Sequence, residues 1–351
     1  MKQLLYSEGD YKVYREPGVN PEAIEFLLHT EIGSTGPVYA HLDKEEHIMH
    51  LSNPTLFSLK KDKKLLGMAV FCNVTVLLRQ IPITCHYIRY FSASGEIRGK
   101  GLMKKFGERA MTLIREKETR KTIFYASVEK KNYSSFKVVS NAGYKPIRQV
   151  DTVGFSRFFP RSKPCIKKAD TPEAKEKILA LLKEYYKNHS LVQFEKIFFN
   201  NDFYFIEENG EILAGCQIHR IHWKILNMPG LSGKVILKVV PHLPLIHRVF
   251  NPKKFDFLAL EGIYFKPGGV KHFYALLEGL LHREGLNTAL FWLDSQCPIY
   301  QQLKDYGRFG FIRSFTRDAG THLMASWKNL SFEEIKLLEE SPVYVSAFDF
   351  T

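Results

Sequence analysis

Residues Phe91-Ser92-Ala93-Ser94-Gly95-Glu96-Ile97-Arg98-Gly99-Lys100-Gly101-Leu102-Met103-Lys104-Lys105 join a run that reads as a β-strand to one that reads as a helix. Upstream, residues 84–93 are rich in β-branched and aromatic side chains, as strands are. Downstream, Leu102, Met103, Phe106, Ala110, Leu113 and Ile114 recur at helical spacing, with Lys and Arg on the opposite face. The glycines between them let the backbone take positive φ and approach a ligand closely. The first amides of the helix lack intrahelical partners, and with the helix dipole they make an anion site of phosphate size. Arg98, Lys100, Lys104 and Lys105 add mobile positive charge. Two familiar phosphate loops are excluded. Lys104 stands at the third glycine of a dinucleotide GxGxxG, and no Gly-Lys-Ser/Thr run exists.

Outward from this loop the first half reads as mixed α and β. Residues 21–30 suit a short helix, residues 56–59 and 65–70 a hairpin about a charged turn, and residues 75–78 a further strand. Residues 122–128 form a buried strand, and residues 132–142 a helix stopped by Gly143. A polar, proline-bearing stretch at residues 160–170 suits a domain boundary, and Asp170-Thr171-Pro172-Glu173 opens a new helix.

The second half repeats this order. Residues 203–206 and 212–215 mirror the hairpin, residues 258–265 the strand before the loop, and Pro267-Gly268-Gly269 the loop itself. Residues 288–292 mirror the strand at 122–126, and Gly310-Phe311 mirrors Gly143-Tyr144. From Thr122 to Gly143 is 21 positions and from Thr288 to Gly310 is 22. The reading is two copies of one α/β fold in tandem, the second with an insertion around residues 224–256.

Arg98-x-x-Gly101-x-x, followed by Asn132-x-x-Ser135 and Gly143-Tyr144, resembles the signature of the GNAT superfamily of acyl-CoA-dependent N-acyltransferases. The resemblance covers most of residues 55–150 and, in degenerate form, residues 200–315. It implies two GNAT-like domains, each a mixed, mostly antiparallel sheet flanked by helices. Residues 1–160 would be the acyl-CoA-binding catalytic domain and residues 161–351 a degenerate copy. It also implies acetyl transfer from acetyl-CoA to an amine by direct attack. The amides of Gly99, Lys100, Gly101, Leu102, Met103 and Lys104, with Arg98, would cradle the pyrophosphate. The main chain of Phe91, Ser92 and Ala93 would pair with the pantetheine arm, and Asn132 would hold the cofactor from the next helix. Two positions depart from the pattern: Met103 replaces a Gly or Ala and could crowd the phosphates, and Val139 replaces the frequent tyrosine acid.

An ammonium acceptor must lose a proton before it attacks. The resemblance places the base on the strand before the loop, where His86 has the intrinsic pKa for the task and Tyr87 or Tyr90 could orient the acceptor. Strict alternation puts His86 and Tyr90 on one face and Tyr87 on the other. In the second copy, Lys266-Pro267-Gly268-Gly269-Val270-Lys271 lacks the arginine and the spaced glycine, so no cofactor is expected there. A non-catalytic acyl-CoA-binding or sensing protein is the alternative, motivated by Val139.

Lys plus Arg number 50 against 37 Asp plus Glu, a net charge of +13 that favours an anionic partner such as acyl-CoA. No nucleic-acid module is recognisable. Five scattered cysteines without a CxxC pair argue for reduced thiols, and neither His47-x-x-His50 nor His219-x-x-His222 comes with a complementary ligand cluster, so no metal is expected. No apolar run approaches the ~20 residues of a membrane span. Residues 235–250, the most apolar stretch, contain Lys238, Arg248, two prolines and two histidines and read as a helix or lid. A cytoplasmic enzyme is the expectation, and the sequence leaves its acceptor and oligomeric state open.

Overall fold

Two short runs, β1 (Gln3–Glu8) and β2 (Tyr11–Pro17), fold as an antiparallel hairpin turned at Gly9-Asp10, with Gly9 at a φ of 56°. The computed structural model describes residues 2–33, 36–163 and 165–351. The helix Pro21–Leu28 follows, started by a first-turn proline and by Asn20, whose side chain accepts from the Ala23 amide. After β3 (Val38–His41) comes the expected hairpin of β4 (Pro54–Lys61) and β5 (Lys64–Leu78), turned at Asp62. Residues 75–78 are not a separate strand but the far end of β5, which stays largely buried on both faces. Then come β6 (Ile81–Ala93), the helix Leu102–Lys117, β7 (Thr122–Glu129) parallel to β6, the helix Tyr133–Asn141 and β8 (Lys145–Ser156).

The proline-bearing stretch holds an edge strand, β9 (Ile166–Lys168), and Thr171 caps the helix Pro172–Tyr185. The second copy runs β10 (Phe203–Glu208), β11 (Glu211–Asn227), the insertion helices Gly230–Val239 and Pro244–Val249, and β12 (Phe255–Phe265). The helix Val270–Glu284, β13 (Thr288–Asp294) parallel to β12, the helix Pro298–Tyr306 and β14 (Gly320–Lys328) complete it.

Among the described residues the strands join one sheet, in the order β1-β2-β4-β5-β6-β7-β14-β8-β13-β12-β11-β10-β9, with β3 paired to β11. The last strands of the two copies change places. β14 pairs with β7, β8 pairs with β13, and the two meet in the middle. On one face of the first copy, Phe106, Ala110, Met111 and Ile114 of the helix Leu102–Lys117 pack with Val138 and Val139. On the other, Tyr87, Tyr90 and Cys85 share a core with Ala23 and Leu27 and with Phe255, Phe257 and Trp292 of the second copy. Each large apolar side chain buried there contributes ~1.5–3 kcal/mol, so exchanged strands and a shared core bind the copies together.

Candidate active site

β6 and β7 run as a parallel ladder from Thr84 opposite Thr122 to Ile88 opposite Ala126, and there the pairing stops. Both strands continue, to Ala93 and Glu129, but apart. Two features drive the separation. The register of β6 on β5 shifts between Val70 opposite Tyr90 and Phe71 opposite Ile88, so Arg89 is an extra, bulged residue that bends β6. β7 is meanwhile held on its far side by β14 as far as Glu129. The result is a wedge in which the edge of β6 from Arg89 through Phe91, Ser92 and Ala93 has no strand partner. The Phe91 ring turns away from it, into the helix Leu102–Lys117 at Gly107, where an added Cβ would lie 2.8 Å from the ring.

The wedge opens toward the glycine loop. Gly99 and Gly101 have φ of 77° and 72°, the left-handed region that glycine favours, and a Cβ on either would meet nothing within 4 Å. Gly101 provides no side-chain cap and the first helical turn has no acidic residue, so the amides of Leu102, Met103 and Lys104 have no intrahelical acceptor. Arg98, Lys100 and Lys104 are exposed and free of ion pairs among the described residues, while Lys105 pairs with Glu8 at 2.8 Å. Met103 does not crowd this surface. Its Sδ lies against Gly67 of β5, where a Cβ would have no room. Asn132 caps the helix Tyr133–Asn141 by accepting from the Ser135 amide at 3.1 Å.

Along the wedge, Arg89 Nε, Tyr90 Oη and Ser94 Oγ are buried with no hydrogen-bond partner. Unpaired buried polar atoms are costly. Three of them beside an unpaired strand edge, ending at a cationic loop, suit an extended polar ligand with an anionic end.

At the vertex Tyr87 and Tyr125 stand opposite each other in the ladder with rings stacked 5.3 Å apart. Asp349, from the last segment of the chain, accepts from the Tyr87 hydroxyl at 2.6 Å, from Gln193 Nε2 at 2.9 Å and from the Tyr125 hydroxyl at 3.5 Å. Burial pushes the Asp349 carboxyl up to about 6, against the lowering pull of the Tyr87 hydrogen bond and of Arg89. Arg89 also donates to the Thr351 carbonyl. No pattern in the sequence singles out Asp349, Gln193 or Tyr125. Asp349 lies 262 residues from Tyr87, and no local motif marks it.

The bulge overturns one expectation. Because Arg89 is extra, Tyr87 and Tyr90 share a face, within the core common to both copies, and His86 lies on the opposite face. His86 stacks on Phe124, approaches Glu118 Oε2 at 3.2 Å, and lines a cavity of about 230 Å³ with Asn73, Arg15 and Arg120 near the far end of the helix Leu102–Lys117. Burial lowers its pKa while Glu118 opposes the shift. Val139 is buried beneath its helix. Burial holds the Cys85 thiol well above its ordinary value.

The second copy builds the same wedge and fills it. β12 and β13 pair from Leu258 opposite Ala289 to Leu260 opposite Phe291, then part. The Tyr186 hydroxyl donates to the Ile263 carbonyl at 2.6 Å. Val343, Tyr344 and Val345 enter beside it and leave a cavity of only about 20 Å³. Glu261 ties this segment down, accepting from Tyr344 Oη at 3.1 Å, Ser346 Oγ at 3.0 Å and the Phe348 amide at 3.3 Å. Here Pro267-Gly268-Gly269 is a closed turn, with the Gly269 amide donating to the Lys266 carbonyl at 2.6 Å.

No protein-family model matches the chain, and no curated protein matches it in sequence. Solved structures do. Saccharomyces cerevisiae N-myristoyltransferase with bound myristoyl-CoA is similar over 98% of this chain and 86% of its own, with a TM-score of 0.60 at 11% identity. A tandem GNAT protein from the clavulanic acid biosynthesis pathway is similar over 91% of this chain and 99% of its own, with a TM-score of 0.53 at 8% identity. At these identities the likeness is one of fold: two GNAT-fold copies in tandem.

Proposed function

We propose that this chain, a tandem GNAT fold, is an acyl-CoA-dependent N-acyltransferase whose first copy binds the acyl donor. The carrying observation is the open wedge between β6 and β7, which ends at the αL glycines Gly99 and Gly101 and at the first helical amides, Leu102 to Lys104, which have no intrahelical acceptor. The unpaired edge at Phe91, Ser92 and Ala93 would take the pantetheine arm as an added strand. The amides of residues 99–104, with Arg98, Lys100 and Lys104, would hold the pyrophosphate. Asn132 retains a side-chain amide donor beyond its cap and could add a contact from the next helix. Bound there, acyl-CoA supplies the thioester carbonyl. The vertex is closed by stacked Tyr87 and Tyr125 above fully buried Cys72 and Cys85, which favours a short acyl group, acetyl.

Asp349 is the base we assign, in place of His86. Ionised above about pH 6, it can take the proton that an ammonium acceptor must shed before attacking. Tyr87, Tyr125 and Gln193 orient its carboxylate. Tyr90, whose buried hydroxyl has no partner, is the proton donor we assign to the departing thiolate in place of the family tyrosine. Val139 motivates a second reading, a sensor that binds acyl-CoA without turnover. The test is calorimetric titration with acetyl-CoA, a long-chain acyl-CoA and CoA, followed by thiol release in a screen of amines. Near-equimolar acetyl-CoA binding with turnover supports the enzyme, and binding with no turnover on any amine supports the sensor. Absence of binding would remove both readings.

A further inference from the structure

The insertion in the second copy presents an inverted surface. A helix on a protein surface ordinarily turns its apolar stripe inward. The helix Gly230–Val239 packs inward through Ile236, yet Leu231, Val235 and Val239, spaced four apart, are 83%, 57% and 45% exposed. Leu243 and Leu245 extend the stripe at 38% and 53%. Phe159, 64% exposed, lies nearby under the Arg248 guanidinium, 5.0 Å from its ring centre.

The charge around this stripe has one sign. From Ile221 to Phe255 there is no Asp or Glu, while Lys224, Lys234, Lys238, Arg248, Lys253 and Lys254 supply six positive charges, nearly half the chain's net +13. All six are exposed, and among the described residues only Lys254 pairs with a carboxylate, Asp256 at 3.4 Å. Lys234 and Lys238 flank Leu231, Val235 and Val239 along the helix. An exposed apolar stripe bordered by unpaired cations matches the chemistry of an anionic bilayer surface, whose headgroups take the cations and whose interface takes the side chains. An apolar protein groove would satisfy the stripe and leave the cations idle.

We propose that residues 226–254 are a docking surface for anionic membranes, on which the protein sits peripherally. This proposal stands apart from the assigned chemistry. The insertion is contiguous with β11, whose Trp223 stacks on Tyr39, and the Tyr39 hydroxyl donates to Glu129 at the end of β7. A docked membrane would therefore lie on the side of the molecule that carries this margin of the wedge.

The test is co-sedimentation of the full chain with vesicles of phosphatidylcholine alone or mixed equally with phosphatidylglycerol. Two variants accompany it, L231E/V235E and K234E/K238E, with circular dichroism to verify folding; the mutated side chains are exposed, so both should fold. The expected result is binding to the mixed vesicles only, weakened at least tenfold in each variant and suppressed by high salt, which screens the cations. Failure of the intact protein to bind mixed vesicles overturns the proposal. So does binding that both variants retain, which would assign it to the general basic surface. A dimer in light scattering that L231E/V235E converts to monomer also overturns it, because a second copy would then cover the stripe.

Discussion

The two wedges start from one topology and end in opposite states. Between β6 and β7 the strand edge stays unpaired, three buried polar atoms lack partners, and the mouth is a loop of left-handed glycines among free cations. Between β12 and β13 the Ile263 carbonyl already has the Tyr186 hydroxyl, residues 343–345 fill the gap, and the glycine turn is closed on itself. The filling has a second consequence. The segment that plugs one wedge is anchored by Glu261 and delivers Asp349 to the vertex of the other. Through Glu261 the second copy thus holds the segment that carries Asp349 to the first.

The comparison breaks most readily at Asp349. Asp349→Asn should lower kcat by ~10²–10⁴, the range for loss of a general base, with acyl-CoA binding intact. The intact protein should lose activity as pH falls through about 6, where the carboxylate takes up its proton, and the variant's residual rate should lack that limb. Its raised pKa also means that the folded state binds the extra proton between the ordinary carboxylate range and about 6, so Asp349 opposes folding more as pH rises across that window. A pH profile unchanged in Asp349→Asn would move the base elsewhere.

A matched pair probes the two mouths directly. Gly101 and Gly268 have φ of 72° and 73°, and a Cβ on either would meet nothing within 4 Å. Gly101→Glu and Gly268→Glu therefore carry the same backbone strain and the same added charge. The first should weaken acyl-CoA binding by ~10-fold or more, since ~1.4 kcal/mol of lost attraction and new repulsion suffices; the second should leave it unchanged. Equal losses in calorimetry would mean that strain, not the site, is being read.

How far the sequence carries this comparison depends on range. The repeat, the glycine loops and both loop-following helices are readable because each signal lies within about twenty residues. The strand exchange is not, since β8 and β14 look alike as isolated strands and only the assembled sheet decides their neighbours. The face of His86 failed for a local reason: one extra residue, Arg89, inverts the alternation beyond it, and a bulge without glycine has no clear sequence mark. Asp349 failed for a global one, because the core packed between the copies brings it to Tyr87.

Glu261→Gln tests the anchor. Buried Glu261 accepts from Tyr344, Ser346 and the Phe348 amide, and an amide in its place turns one acceptor oxygen into a donor. Loosening this anchor should lower kcat by ~10-fold, about 1.4 kcal/mol, with acyl-CoA affinity kept. The acid limb near pH 6 should persist, which separates a positioning residue from the base itself.

The smallest expected effect lies in the filled wedge. Tyr186→Phe removes the only side-chain donor to the Ile263 carbonyl among the described residues while keeping the ring that packs edge-on against Tyr344 at 5.0 Å. A buried acceptor left unsatisfied costs ~1–3 kcal/mol, which thermal or denaturant unfolding would resolve. Acyl-CoA affinity and kcat should stay at the wild-type level, because Glu261, not Tyr186, fixes the path to Asp349. A fall in affinity without a fall in stability would mean that the second wedge communicates with the first, and that the plug is a coupling element rather than a filler.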